Sequence, residues 1–235
     1  MDIKEHYTNI GTSSLEILQD SLTKNDLSKL SSNHSFIVDF GNWLEVLQDR
    51  PETTILQNAI KEYQLAILSN IMGLYQQSFM GLRFFLERTL IAVLFSAKEL
   101  ELNLWKCGER DTYWAELMND EQGLFSQRFC KAFFPSLNDE ISHFKVITSK
   151  VYRECSEYVH ANHRILDQLP KKLEYSEKMF MAWNTRANTI KRIILFVFCL
   201  RYLNSLTKKD VKLIESSISE EFKSISQIQE IINYV

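Results

Sequence analysis

Ile67 to Leu94 reads ILSNIMGLYQQSFMGLRFFLERTLIAVL. Its apolar residues, from Ile67, Leu68 and Ile71 through Phe79, Leu82, Phe85 and Leu86 to Leu90, Val93 and Leu94, cover nearly the whole circumference of a 3.6-residue helix. A helix without a wide polar face belongs inside a bundle rather than on its skin. The surrounding segment from Ile55 to Leu100 holds no proline, and it reads as one helix. Gly73 and Gly81 either weaken it locally or let a neighbour approach closely.

Working outward, the whole chain is poor in breakers. It has 235 residues, six glycines and three prolines, at Pro51, Pro135 and Pro170. Such scarcity favours long helices over a turn-rich β fold. The expected fold is all-α, a helical bundle built on long antiparallel helices. Hydrophobic content of 45% is enough for one sizeable core.

Before the central segment, residues 1–12 read as frayed, Ser13 and Ser14 as a cap for a first helix, and Ser31 to Ser35 as a polar break. Phe36, Phe40, Trp43, Leu44 and Leu47 form a second helical stripe that ends at Pro51. Residues 1–50 thus read as an N-terminal helical extension, and 56–206 as the core. Within that core, residues 99–135 read as a small helical insertion in which Phe125, Phe129, Phe133 and Phe134 are packing residues. Two long helices follow. One starts at Asn138 and ends near His160; the other spans Leu173 to Leu206, with Lys191, Arg192 and Arg201 on a solvated edge. Residues 207–235 read as one amphipathic helix.

Composition narrows function. A net charge of -3 gives no general nucleic-acid coat, so any nucleic-acid contact must be local. Cys107, Cys130, Cys155 and Cys199 are scattered singly, without metal or disulfide spacing, and no metal or cofactor is expected. Met1 to Tyr7 is too polar for a signal peptide, and the longest apolar run, Ile193 to Leu200, is too short to span a bilayer. The expected setting is the cytoplasm, without membrane contact.

Chemistry-bearing residues meet at a meaningful spacing in Tyr152 to Asn162, YRECSEYVHAN. Arg153, Ser156, Glu157 and His160 fall at i, i+3, i+4 and i+7 and share one helix face. That face lies opposite the apolar stripe of Phe144, Ile147, Val151, Tyr152, Cys155, Tyr158 and Val159. Arg153 and His160 stand about 10 Å apart along the axis at ~1.5 Å per residue, so one phosphate could meet both. A histidine titrating near neutrality can move protons, and a guanidinium can hold a phosphate. Taken alone, the same residues also suit an exposed polar helix end, where His⁺ is favourable. Upstream, Arg83 and Glu87 are four apart: an intrahelical ion pair, or a charged pair that serves the site from behind.

These residues resemble the HEPN superfamily (higher eukaryotes and prokaryotes nucleotide-binding), α-helical bundles with an Arg-x(4–6)-His motif. Tyr152, Arg153, Ser156, Val159 and His160 match the bacterial pattern YRxxSxxVH, and LRFFLE, Leu82 to Glu87, resembles the upstream LRxxLE segment. The likeness covers about residues 56–206. Glu154 stands where family members carry Asn, Asp or His. The resemblance implies a metal-independent endoribonuclease of bacterial antiviral defence or toxin systems. Its partners would be RNA, a second copy of the chain in a homodimer that builds one composite site, and a protein of a defence operon. Arg153 and His160 would be catalytic, with Lys150, Ser156, Glu157, Asn162 and His163 supporting. The alternative is a catalytically silent HEPN-like scaffold or partner subunit. The large insertion, the amphipathic terminal helices and the modest basic density beside the motif favour that alternative.

Overall fold

The computed structural model describes residues 2–24, 27–160 and 163–234, and among these there are helices and no strand. The long elements are α1 (Ile3–Thr23), α2 (Ser28–Val46), α3 (Thr53–Ile71) and α4 (Tyr75–Phe95). Three shorter helices follow, α5 (Glu99–Lys106), α6 (Trp114–Leu117) and α7 (Gln127–Phe133), in the segment read as an insertion. Then come α8 (Asn138–Val159), the short α9 (His163–Leu166), α10 (Glu177–Tyr202), α11 (Lys208–Glu221) and α12 (Ser226–Asn233). The all-α bundle expected from the scarcity of breakers is what forms.

The stretch read as one helix from Ile55 to Leu100 is in fact an antiparallel hairpin, α3 against α4. Gly73 makes the reversal with φ +78°, a conformation that costs a glycine little. Around it, Leu74 N–H donates to the Ser69 carbonyl at 2.8 Å and Gly73 N–H to that of Asn70 at 3.2 Å. That pair of bonds is a Schellman ending, so α3 stops with its last carbonyls satisfied. Gly81 lets the two helices close up: a Cβ there would lie 3.0 Å from that of Ala66.

Both α4 and α10 are buried on most sides, as their all-round apolar character requires. Between them and α2 lies an aromatic cluster. Tyr63 meets Phe85 at 4.7 Å between ring centroids, Phe40 meets Phe198 at 5.4 Å, and Trp43 meets Phe198 at 5.1 Å. Phe125, Phe129 and Phe134 are buried in the same core.

Several boundaries differ from the sequence reading. α1 begins at Ile3, because Asp2 caps it by accepting from Lys4 N–H. Ser31 to Ser35 is inside α2 rather than a break, because Asn33 is buried at its centre and bonded: Tyr63 Oη donates to Asn33 Oδ1 at 3.0 Å, and Asn33 Nδ2 to Asn184 Oδ1 at 2.8 Å. α10 starts at Glu177, where Ser176 caps it, rather than at Leu173. The C-terminal segment is two helices. The chain turns at buried Phe222 and Ile225, and Gln229 Nε2 donates back to the Phe222 carbonyl at 3.1 Å.

The solvated edge expected for Lys191, Arg192 and Arg201 is also corrected. Lys191 is only 8% exposed. Arg201 donates to Ser96 Oγ at 2.7 Å and lies 4.0 Å from the Phe133 ring, tying α10 to the end of α4. Arg192 is half-buried and faces Glu221 at 3.7 Å. Their long stems cover apolar surface while the two arginine heads find local partners.

Candidate functional site at the end of the eighth helix

α8 buries Ile141, Phe144, Thr148, Val151, Cys155 and Tyr158, a strict alternation of three and four residues. Such a seam faces one direction along the whole helix. Arg153 and His160, seven residues apart, both project from the opposite side, and both are exposed. Lys150 is exposed on the same flank, and Glu157 is half-buried beside it. The helix ends where expected: His160 is its C-cap, and its N–H donates to the Ser156 carbonyl at 3.1 Å.

Three contacts fix this helix end against the bundle. Tyr158 stacks on Phe79 of α4, with centroids 3.8 Å apart and planes within 7°. Gln76 Nε2 donates to the Tyr158 carbonyl at 3.0 Å, satisfying one of the last free carbonyls of α8. Glu154 pairs with Arg186 of α10 at 3.1 Å. One turn back, Tyr152 is held from both faces. Trp114 stacks on it at 3.5 Å, and the Arg83 guanidinium lies 4.8 Å from its ring and donates to its hydroxyl at 2.7 Å. Arg153 and His160 therefore rise from a backbone whose neighbouring side chains are locked.

The other expected residues are placed as follows. Ser156 Oγ donates to the Tyr152 carbonyl of its own helix at 2.7 Å, which leaves only its lone pairs outward. His163 is exposed, with Nδ1 3.1 Å from the Asp167 carboxylate. Asn162 lies outside the described residues. Arg83 and Glu87 sit at the level of Tyr152, with Nε and Oε2 3.8 Å apart, and burial pushes the Glu87 carboxyl above its ordinary range. Arg83 spends its directional hydrogen bond on Tyr152 rather than on the outward row. Among the described residues, Lys150, Arg153, Glu157 and His160 make no side-chain hydrogen bond or ion pair, so Glu157 does not brace Arg153 or Lys150.

Sequence reasoning missed Gln76, Phe79, Trp114 and Arg186, the residues that seat the helix end. Only Phe79 carried a signal, as part of the apolar face of α4. Cys155, between the motif residues, is buried and its thiol is pushed up to about 12, so it is no nucleophile. Among the described residues no group of three or more His, Cys, Asp or Glu is arranged to hold a metal ion, and no helix is long and apolar enough to cross a membrane. No family model matches the chain, no curated protein matches it, and no solved structure matches it.

Proposed function

We propose that this protein is an endoribonuclease that needs no metal, with His160 as general acid/base and Arg153 as phosphate clamp. The observation that carries the reading is the exposed pair of Arg153 and His160, unengaged among the described residues, on one row of a helix whose end is pinned. A histidine with no competing partner is available to a substrate proton, and an arginine with no carboxylate on it is available to a phosphate.

The chemistry is self-contained. His160 takes the proton of the 2′-OH, whose oxygen attacks the adjacent phosphorus. Arg153 binds the non-bridging oxygens, where charge grows in the pentacoordinate transition state. The 5′-oxygen leaves, a proton from an imidazolium neutralises it, and a 2′,3′-cyclic phosphate remains. One copy offers only an open row, which grips a phosphate from one side. A second copy placed across it would supply the acid while the first supplies the base, so the site we propose is a homodimer site. A role in bacterial antiviral defence, with RNA as target and an operon partner, is part of the same proposal and rests on the likeness of Tyr152 to His160 to the HEPN pattern.

The test is cleavage of single-stranded RNA and of tRNA in EDTA, with analysis of product ends. Cyclic phosphate ends lost in His160→Ala support the reading. Persistent cleavage in His160→Ala removes it, and a wild type that binds a partner chain but never cuts points to a scaffold subunit.

A further inference from the structure

A crevice of about 640 Å³ opens where α2, α10 and α11 diverge, far along the chain from the α8 motif. Its floor is apolar, made by Phe36 and Leu195. Lys191 lines it as well and is more than nine-tenths buried.

The lysine is under-partnered. An ammonium has three N–H donors. Among the described residues Lys191 donates hydrogen bonds to one residue, Ser32, at 2.5 Å to Oγ and 3.2 Å to the carbonyl, and its Nζ lies 5.9 Å from the centroid of the Phe36 ring. Among the described residues no carboxylate comes within ion-pair distance of it. Burying a charge in that state is costly unless something completes its shell. Burial does pull the Lys191 pKa down, and the fields of Glu221 and Asp39 act against that pull.

The walls carry the opposite sign. Asp39 and Glu220 both line the crevice, and among the described residues neither has an ion-pair or hydrogen-bond partner. Glu221 is already engaged by Arg192. Ser31, Ser35 and Ser216 line the same space, and among the described residues their hydroxyls likewise make no hydrogen bond. A buried cation at the floor and free carboxylates at the rim thus converge on one cavity, with hydroxyls between them.

This arrangement discriminates among ligand classes. A simple anion such as phosphate would meet Lys191 but would be repelled by Asp39 and Glu220. A polyamine would suit the rim and be repelled at the floor. A sugar would want an open aromatic face, and the Phe36 ring is buried. We propose that the crevice binds a small zwitterion of the α-amino-acid type, its carboxylate on Lys191 and Ser32 and its ammonium on Asp39 and Glu220.

Isothermal titration of the full chain with each proteinogenic L-amino acid tests this, with inorganic phosphate, spermidine and glucose as contrasting probes. At least one amino acid binds, and Asp39→Asn and Lys191→Met each weaken it about tenfold or more, the loss expected for one charge-assisted contact. Because Lys191→Met could perturb the core, Ser35→Trp at the exposed rim is the second variant; it blocks entry and abolishes binding while the helical circular dichroism is unchanged. Binding of phosphate, spermidine or glucose without any amino acid overturns the assignment. So does the absence of any heat with all amino acids, or amino-acid binding that survives in Asp39→Asn and Ser35→Trp.

Discussion

Gln76 Nε2 donates to the carbonyl of Tyr158 at 3.0 Å, joining the first turn of α4 to the last turn of α8 two residues before His160. Beside it, the Phe79 ring lies flat on Tyr158. The carbonyls at a helix end lack intrahelical donors, so this amide takes the place of a cap. Gln76→Leu keeps the volume but loses the donor. Urea unfolding of that variant shows a loss of about 1 kcal/mol, the ordinary net worth of one hydrogen bond. If His160 acts as proposed, RNA cleavage falls further than the small unfolded fraction accounts for, because the imidazole loses its seat.

Gly73 and Gly11 give opposite outcomes for the same substitution. Gly73 has φ +78°, and a Cβ there would lie 3.0 Å from Ile17 Cγ2. Gly73→Ala destabilises by more than ~1 kcal/mol. Gly11 lies inside α1 with open space around its Cα, so Gly11→Ala stabilises by ~0.5–1 kcal/mol. Thermal melts of the two variants against wild type move in opposite directions.

The buried relay Tyr63–Asn33–Asn184 ties α3, α2 and α10 together, and Asn184 Nδ2 ends it on the Phe180 carbonyl at 2.8 Å. Asn33→Ala strands the Tyr63 hydroxyl and an Asn184 oxygen in the core. The expected cost is about 2–4 kcal/mol, from two buried groups left without partners. Asn184→Ala on top of it adds less than its cost alone, and a double-mutant cycle measures that coupling.

Glu87 makes stability depend on pH with a definite sign. Burial raises its folded pKa above 4.5, and Arg83 and Arg88 only partly offset that. A carboxyl with a raised folded pKa holds more protons in the folded chain than in the unfolded one. Its contribution therefore declines as pH climbs from the unfolded value through the folded one. Glu87→Gln removes that decline. The variant is the more stable at neutral pH, and its advantage shrinks to nothing as pH falls below the unfolded pKa. Denaturant midpoints taken across that range check it.

Of the four free thiols, Cys107 is exposed, while Cys130, Cys155 and Cys199 are buried. Burial pushes the Cys130 thiol up to about 11 and that of Cys155 to about 12. A thiol reagent titrates one cysteine quickly in the native protein and the other three only after unfolding.

How much of this was legible in the sequence follows from which forces are local. The span of α8 was readable because its apolar residues recur at helical spacing and stop at His160. The outward position of Arg153 and His160 followed from the same arithmetic. The turn at Gly73 was not readable, because apolar residues continue on both sides of it and one glycine in a helical pattern is ambiguous between a close approach and a stop. Ser31 to Ser35 looked like a break because serine is a weak helix former. What keeps it helical is Asn33 reaching Tyr63 and Asn184, a partner 151 residues away. The burial of Lys191 has the same origin: the crevice is made by three helices that are distant in the chain. Gln76, Trp114 and Arg186 carried no signal, since a lone Gln, Trp or Arg takes its meaning from the surface it meets.

The measurement that bears most directly on the proposed function is the rate of RNA cleavage in EDTA by wild type, Arg153→Ala and His160→Ala, each shown to be folded by circular dichroism. Both side chains are exposed and, among the described residues, unpartnered, so neither substitution disturbs the core. The account predicts EDTA-resistant cleavage leaving 2′,3′-cyclic phosphate ends, reduced about 10²–10⁴-fold in His160→Ala and strongly in Arg153→Ala. Cleavage at the wild-type rate in His160→Ala would contradict it.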